Sequence, residues 1–235
     1  MSDVVDALIR DIRAGFAAQA NPEVADHQQK YMKSEIPYYG LKSAQVRDVL
    51  KPLLKQYTLR SFEEWELAIR TLWDGVTHRE EWYAALAIAR YGRYRAYRSS
   101  LDAFPLYEYL IRAGSWWDVC DEIAHHLVGE GLMAHPEEAS EVMRTWSADE
   151  HMWVRRCSIL SQGRHKDKTD PVLLRDCILS SIDDTDFFSR KAIGWALRDY
   201  SKIDPAWVLA FVDEFDARLS GLSKREATRL IPSPR

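Results

Sequence analysis

The sequence predicts an all-α protein built from paired helices, and three observations support this fold class. The 235 residues include only 10 glycines and 9 prolines, which is few for a β-sandwich or barrel with its many tight turns. Apolar residues recur at spacings of three and four, as in Val5, Leu8, Ile9 and Ile12, and this is the pattern of an amphipathic helix. Four similar segments also begin 35 or 36 residues apart, a period that suits HEAT or armadillo repeats.

Helix-start signals divide the chain into about twelve helices with short connections. Asn21-Pro22 and Asp204-Pro205 each have the form of an N-cap followed by proline in the first helical turn. Four further pairs have the Ser/Thr-x-x-Glu form of a capping box, so we expect a helix to begin at each of them. These pairs are Ser61 with Glu64, Thr77 with Glu80, Ser147 with Glu150, and Ser223 with Glu226.

The internal repeat covers the middle of the chain, and each of its four segments opens with an aromatic residue. In a repeat array each unit packs on the next, and equivalent helices line one continuous surface. A helical bundle without repeats is the alternative interpretation. The segments are Trp82–Arg90, Trp117–His125, Trp153–Ser161 and Phe188–Ala196.

The same period relates three charged residues. Asp121, Arg156 and Lys191 are 35 residues apart each time, so in a solenoid they would lie one above another on neighbouring helices. A carboxylate flanked by cations along one wall suits an anionic ligand that has a cationic reacting centre.

Composition restricts the classes of protein to consider. No segment has 18 uninterrupted apolar residues, so we expect no membrane span and no membrane partner. The start Met1-Ser2-Asp3 lacks the pattern of a signal peptide, which favours the cytoplasm. The three cysteines, Cys120, Cys157 and Cys177, form no CxxC pair, so we expect buried thiols instead of disulfides or a zinc site.

The charge distribution is uneven. The net charge of −4 argues mildly against nucleic acid as a partner, because a basic domain is its usual footprint. However, residues 121–150 contain eight acids and one base, whereas residues 151–202 contain ten bases and seven acids. Such a layout permits one basic face on an acidic protein.

Two short segments combine aromatic and charged residues on one helical face. Trp117 and Asp121 are four residues apart, and an aspartate is both a poor mid-helix residue and rarely buried without a partner. Lys191, Trp195 and Arg198 form a second stripe at spacings of four and three, which is suitable for a phosphate-bearing ligand. Core packing of the tryptophans and solvated surface charges are the alternatives.

Gly194 lies within the second stripe and lowers helix propensity by about 1 kcal/mol relative to alanine. A close approach of another helix or of a ligand would explain this glycine. Elsewhere, arginines and tyrosines alternate over residues 90–98, and this suits either nucleic acid or an ordinary surface helix. Glu122-x-x-His125 occurs only once, so we do not expect a metal site like those of di-iron bundles.

Several of these stretches together resemble the AlkD family of bacterial DNA alkylation repair enzymes, and the spacing between them is kept. The similarity extends from about residue 3 to residue 231, with Lys42 standing where the family would have glutamine. The stretches are Ser115–Asp121, Lys191–Tyr200, Leu222–Ala227, and Lys30–Lys33 followed by Gly40.

The resemblance implies a right-handed solenoid of HEAT-like repeats, in one domain spanning residues 1–235, whose concave face binds duplex DNA. It implies a monofunctional DNA glycosylase of base excision repair, a hydrolase that removes cationic alkylpurines such as N7-methylguanine and N3-methyladenine. The damaged base would not be drawn into a protein pocket, unlike in most base-excising enzymes. We expect a monomer that needs neither a cofactor nor a metal.

Site residues follow from the match. Trp117, Asp121 and Trp195 fall on the family's catalytic positions, and a carboxylate between two indoles suits a cationic transition state. The match also places Arg156 and Tyr31 on positions that contact DNA. The basic residues within the matched stretches are expected to contact DNA as well, namely Lys33, Lys191, Arg198, Lys224 and Arg225. Two other functions compete with the glycosylase: a family relative that recognises DNA without cutting it, and a helical-repeat scaffold for protein partners.

Overall fold

The structure is a computed structural model that describes residues 3–232, and every regular element within that range is helical. The predicted all-α class is therefore confirmed. The described residues form two compact units, the first ending at Arg98 and the second beginning at Ser99. The single domain over residues 1–235 stays a prediction, and residues 1–2 and 233–235 lie outside the described range.

The first unit contains six α-helices around an apolar core that includes the fully buried Trp65 and the buried Trp73. Helices α4 and α5 pack against each other, and α1 packs against both α3 and α4. The helices are α1 (Asp3–Ala17), α2 (Pro22–Met32), α3 (Ser43–Gln56), α4 (Phe62–Asp74), α5 (Glu80–Arg90) and α6 (Arg95–Arg98).

A buried carboxylate fixes the loop between α2 and α3. Glu80 is fully buried, and its two carboxylate oxygens accept backbone N–H bonds from Tyr39, Gly40 and Leu41 at 2.9–3.0 Å. Gly40 has a φ of 87°, and a Cβ there would lie 2.1 Å from the Asn21 carbonyl oxygen. Gly40, which contributes to the family resemblance, therefore allows the two backbone segments to approach closely.

The second unit contains the remaining helices in two layers. Equivalent helices of successive pairs pack side by side, since α11 contacts α8 and α13, and α13 contacts α15. In the other layer α10 contacts α12, and members of a pair, such as α10 and α11, also contact each other. The helices are α7 (Phe104–Gly114), α8 (Trp117–Ile123), α9 (Gly129–Ala134), α10 (Pro136–Ser147), α11 (Met152–Leu160), α12 (Pro171–Leu179), α13 (Phe187–Tyr200), α14 (Pro205–Glu214) and α15 (Gly221–Thr228).

This arrangement agrees with the predicted period. The three later repeat segments lie on α8, α11 and α13, and the first lies on α5 of the other unit. Residues 124–128 form a π-helical segment that joins α8 to α9 without a break. Such segments are frequent at functional sites.

The two predicted N-caps followed by proline are confirmed. The Asn21 side chain accepts backbone N–H bonds at the start of α2, and the Asp204 side chain does so at the start of α14. The capping box at Ser61 is half formed, because Ser61 accepts from the Glu64 N–H while the Glu64 carboxylate accepts from the Arg60 N–H.

The other three capping boxes were wrong. Ser147 is the last residue of α10, and Ser223 lies inside α15, whose N-cap is Ser220. Helix α5 begins at Glu80 itself, after Arg79, which makes no side-chain capping bond. The physical reason is clear for two of the glutamates: Glu80 binds loop amides and Glu226 binds two cations, so neither caps its own helix.

Three expectations about the class of protein can be compared with the structure. All three cysteines are buried and unpaired, as predicted. Within residues 3–232, every helix is too short or too polar to cross a membrane. In the same range no group of three or more His, Cys, Asp or Glu side chains is arranged to hold a metal ion.

Candidate active site

A tight turn between α7 and α8 positions the first candidate residue. Ser115 adopts a left-handed conformation with a φ of 36°, and Trp116 is extended, so α8 begins at Trp117. Asp121 follows one helical turn later and therefore shares a helical face with Trp117. Both side chains are partly exposed.

Trp116 packs in an aromatic cluster at the beginning of three neighbouring helices. Its ring centroid lies 6.0 Å from that of Trp153 and 5.6 Å from that of Phe188, and the Trp153 and Phe188 centroids are 5.0 Å apart. These contacts give Trp116 a structural role. They also bring the ends of α8, α11 and α13 together, which aligns the charged residues one turn further along.

Asp121 forms a two-point ion pair with Arg156. Arg156 Nε donates to Asp121 Oδ1 at 2.7 Å, and Nη2 donates to Oδ2 at 2.8 Å. The Arg156 side chain is 1% exposed, whereas the Asp121 side chain is 16% exposed. The cation is thus buried beneath a carboxylate that still reaches solvent. The prediction that Asp121 and Arg156 are neighbours on successive helices of the repeat is confirmed.

Arg156 is held from every side. Its Nη1 donates to the Phe188 carbonyl oxygen at 2.5 Å, and its guanidinium carbon lies 5.9, 5.9 and 5.4 Å from the ring centroids of Trp153, Phe188 and Trp195. We expected Arg156 to contact DNA, but the structure instead places its guanidinium under Asp121. The buried guanidinium is satisfied, because all three of its nitrogens donate within the protein.

Trp195 is surrounded by cations, as its position between Lys191 and Arg198 predicted. Lys191 Nζ lies 5.6 Å and the Arg198 guanidinium carbon 5.8 Å from the indole centroid, in addition to Arg156 at 5.4 Å. Distances of this size allow cation–π attraction. The Trp195 side chain is partly exposed, so the indole is fixed by charges and still borders solvent.

Sequence reasoning missed Glu226. Its carboxylate accepts from Lys191 Nζ and from Arg198 Nη1, each at 2.6 Å. The cations that we expected to be available to phosphates are therefore paired within the protein. The signal was present in the sequence, because Glu226 follows Lys191 by the same 35 residues that separate Asp121 from Arg156.

The other predicted DNA contacts lie on both units. In the first unit, Tyr31 on α2 is 72% exposed, and Lys33, directly after α2, is exposed in a left-handed conformation. In the second unit, Arg225 is exposed on α15, whereas Lys224 Nζ donates to Asp216 Oδ1 at 2.8 Å. Tyr31, Lys33 and Arg225 are therefore the more accessible candidates.

The alternating arginines and tyrosines over residues 90–98 contribute to packing. Arg98 is buried and donates to the carbonyl oxygens of Arg90 and Tyr91 at 2.7 and 3.2 Å. Tyr94 is buried, and its hydroxyl accepts from the Leu59 N–H at 3.0 Å. These contacts favour the structural interpretation of the segment.

His125 lies one turn after Asp121, on the π-helical segment. Burial lowers the pKa of His125 below its ordinary value, although the charges of Asp121 and Asp199 oppose that shift. The ring packs on Gly163, where an added Cβ would lie 2.5 Å from His125 Cε1. His125 is therefore a neutral neighbour of Asp121 at neutral pH and adds no positive charge there.

The second unit thus has the architecture of a helical-repeat protein, with an ion-paired carboxylate on α8 and a cation-bound indole on α13, two helices that both pack against α11. The family comparison then identifies the chain: it belongs to the DNA alkylation repair enzyme family, whose model matches residues 12–231. This match includes Asp121, Arg156, Trp195 and Glu226. A comparison with curated proteins gave no match.

The solved structures that are similar to the chain include two DNA repair proteins. A predicted DNA alkylation repair enzyme from Enterococcus faecalis is 29% identical, with a TM-score of 0.83, and the match covers 92% of this chain and 98% of that one. The Pseudomonas fluorescens alkylpurine DNA glycosylase AlkC, bound to DNA containing an abasic site analogue, is 15% identical with a TM-score of 0.56. That match covers 97% of this chain and 62% of AlkC, and it indicates the fold alone.

Proposed function

We propose that this protein is an AlkD-type DNA glycosylase that hydrolyses the N-glycosidic bond of cationic alkylated purines in duplex DNA. Its substrates would be N7-methylguanine and N3-methyladenine, excised without flipping the base into a pocket and without cutting the DNA strand. The protein would act as a monomer on damaged DNA. Membership of the DNA alkylation repair enzyme family supports the choice of DNA as substrate.

One observation carries the proposal: the partly exposed Asp121 carboxylate is held by a buried arginine. An ionised carboxylate offers about four lone-pair sites, and Arg156 occupies two of them. The remaining sites are available to water or to a developing positive charge. Because Arg156 is fixed by its own contacts, Asp121 is preorganised, and preorganised electrostatic groups usually make the largest single contribution to catalysis.

The chemistry matches the substrate class. An N7- or N3-alkylated purine already carries positive charge, so it leaves without protonation by an acid. As the bond from C1′ to the purine nitrogen breaks, the electron pair goes to the base and neutralises it, while positive charge develops on the sugar. Water then forms the new C1′–O bond and loses a proton to Asp121 or to solvent, and an abasic site and a free base result.

The two tryptophans would complete the site. The electron-rich faces of Trp117 and Trp195 attract a cationic base or sugar. Trp117 shares the helical face of Asp121, and Trp195 is linked to Asp121 through Arg156. Neutral lesions would therefore be poor substrates, because they gain nothing from these faces and leave slowly without an acid.

Each unit, taken by itself, has candidate residues for DNA contacts. Tyr31, Lys33 and Arg225 are accessible as they stand, and Lys191, Arg198 and Lys224 would have to share or exchange their carboxylate partners for phosphates. Arg156 takes a different role from the one that we first expected, since it positions Asp121. Phosphate contacts fix the register of a protein on the duplex.

The test is base release by the purified wild-type protein from duplex DNA methylated at N7 of guanine, with a duplex that carries a neutral lesion as control. We expect free N7-methylguanine, an intact strand with an abasic site, and little release of the neutral base. Binding should weaken steeply with salt, because each phosphate contact releases counterions. Salt-dependent binding with no release would favour a DNA-recognition module, and binding that ignores salt would favour a protein scaffold.

A further inference from the structure

Glu226 is the second carboxylate of the site region, and it bridges two cations. It accepts from Lys191 Nζ on one oxygen and from Arg198 Nη1 on the other, each at 2.6 Å. The Glu226 side chain is 11% exposed, and the cations are 24% and 23% exposed. The hydrogen bond from Lys191, together with the charges of Arg198 and Arg229, lowers the pKa of the Glu226 carboxyl, so it is ionised at neutral pH.

The packing of α15 on α13 explains why Glu226 reaches both partners. A Cβ at Gly194 would lie 2.6 Å from Glu226 Cβ and 3.1 Å from the Ser223 carbonyl oxygen. Ser223 Oγ donates to the Arg190 carbonyl oxygen at 2.9 Å. The absence of a side chain at Gly194 and this hydrogen bond set the distance between α13 and α15. The Glu226 carboxylate therefore contacts Lys191 and Arg198 in a defined geometry.

The bridge acts on the Trp195 indole. Lys191 and Arg198 are seven residues apart on one face of α13, with Trp195 between them, and both lie within 5.8 Å of its centroid. Arg156 adds a third cation at 5.4 Å. Without Glu226, these like charges would repel one another, and long flexible side chains would then leave the ring.

We propose that Glu226 is a positioning residue of the glycosylase site, which holds Lys191 and Arg198 against Trp195 and limits the positive charge that a cationic purine meets there. This inference rests on the proposed function. It requires that loss of the carboxylate has opposite effects on two measurements. DNA binding strengthens because two cations are released to phosphates, whereas base release slows because the indole is no longer fixed and the cationic lesion is repelled.

The experiment compares Glu226→Gln with Glu214→Gln, which loses the same charge. Glu214 on α14 is a matched control because it also accepts a two-point hydrogen bond from an arginine, Arg175, at 2.6 and 2.8 Å. Three quantities are measured for each variant: the melting temperature, the salt dependence of binding to undamaged duplex, and single-turnover release of N7-methylguanine.

For Glu226→Gln we expect release at least about 10-fold slower, as when a reacting group is slightly misplaced. Its binding should be tighter, with a log–log salt slope steeper by about 0.9 for each additional phosphate that the protein neutralises. Glu214→Gln should match the wild type in release. A Glu226→Gln variant that releases base at the wild-type rate, or that loses binding and release together, overturns the inference.

A double-mutant cycle tests the route of the effect. If Glu226 acts through its two partners, Glu226→Gln adds nothing to release in a background of Lys191→Gln and Arg198→Gln, and an additive effect contradicts the inference. Should Glu226→Gln fail to fold, each single partner variant must slow release while weakening binding. Wild-type protein that releases no base refutes the proposed function itself, which is a distinct result.

Discussion

Replacing Arg156 by methionine tests the idea that a buried cation positions Asp121, the proposed catalytic carboxylate. The change removes two hydrogen bonds to Asp121 and one to the Phe188 carbonyl oxygen. Removing one partner of a buried ion pair costs about 3–5 kcal/mol. Asp121 is 16% exposed and can be rehydrated, so we expect the lower end, about 3 kcal/mol.

For a chain of this size, 1 kcal/mol lowers the melting temperature by about 2–4 °C, so the Arg156→Met variant should melt about 6–12 °C lower. Single-turnover base release, measured well below that temperature, should fall by about 10²–10³ because Asp121 is no longer preorganised. The assay needs saturating protein, so that binding differences do not enter the rate.

The neighbouring Arg155→Met is the matched control. Arg155 Nη2 donates to Asp184 at 2.8 Å, and Nη1 donates to the carbonyl oxygens of Asp149 and Glu150, so this variant also loses an arginine network. It should be destabilised but keep its release rate. Equal release by Arg156→Met and the wild type, or equal slowing by both variants, would refute the positioning role of Arg156.

Three further predictions concern stability. Gly194→Ala should lower the melting temperature, since overpacking costs about 1–3 kcal/mol. The control Gly92→Ala should not lower it, because nothing lies within 4 Å of an added Cβ there. A Gly194→Ala variant that is more stable than the wild type would contradict the close packing of α15 on α13. Glu80→Gln should lower the free energy of unfolding by about 2–4 kcal/mol, because an amide cannot accept hydrogen bonds on both sides as the buried carboxylate does. A variant with the same urea midpoint as the wild type would contradict this prediction. Burial lowers the pKa of three histidines below 6.5, so the unfolded chain binds protons more readily than the folded chain as the pH falls. Their contribution to stability is therefore present above pH 6.5 and is lost at lower pH, and the melting temperature should fall accordingly. A melting temperature that does not change with pH would contradict this prediction. The three are His125, His151 and His165.

The repeat period predicted much of the fold and part of the site. The spacing of 35 residues correctly predicted that Asp121 and Arg156 lie next to each other, because equivalent positions of successive helical pairs are neighbours. The same spacing pointed to Glu226, but the repeat had been assigned only as far as Ala196. Extending the period by one unit would have predicted the Lys191–Glu226 pair.

Other features depend on three-dimensional packing and could not be predicted from local patterns. Ser147-x-x-Glu150 has the form of a capping box, yet Ser147 ends a helix, because a capping pattern records local preference and tertiary contacts override it. The burial of Arg156 also depends on distant parts of the chain, since Phe188 and Trp195 come from α13 and the Asp121 carboxylate comes from α8. A basic residue in a groove and one beneath a carboxylate look the same in sequence.

The central claim is that Asp121 stabilises the positive charge of the departing lesion. It is tested most directly by single-turnover release of N7-methylguanine from saturated duplex DNA by wild type and by Asp121→Asn, with DNA affinity measured in parallel. We predict release by the wild type, and release slower by about 10²–10³ with similar affinity for the variant. Release by Asp121→Asn at the wild-type rate would contradict the claim.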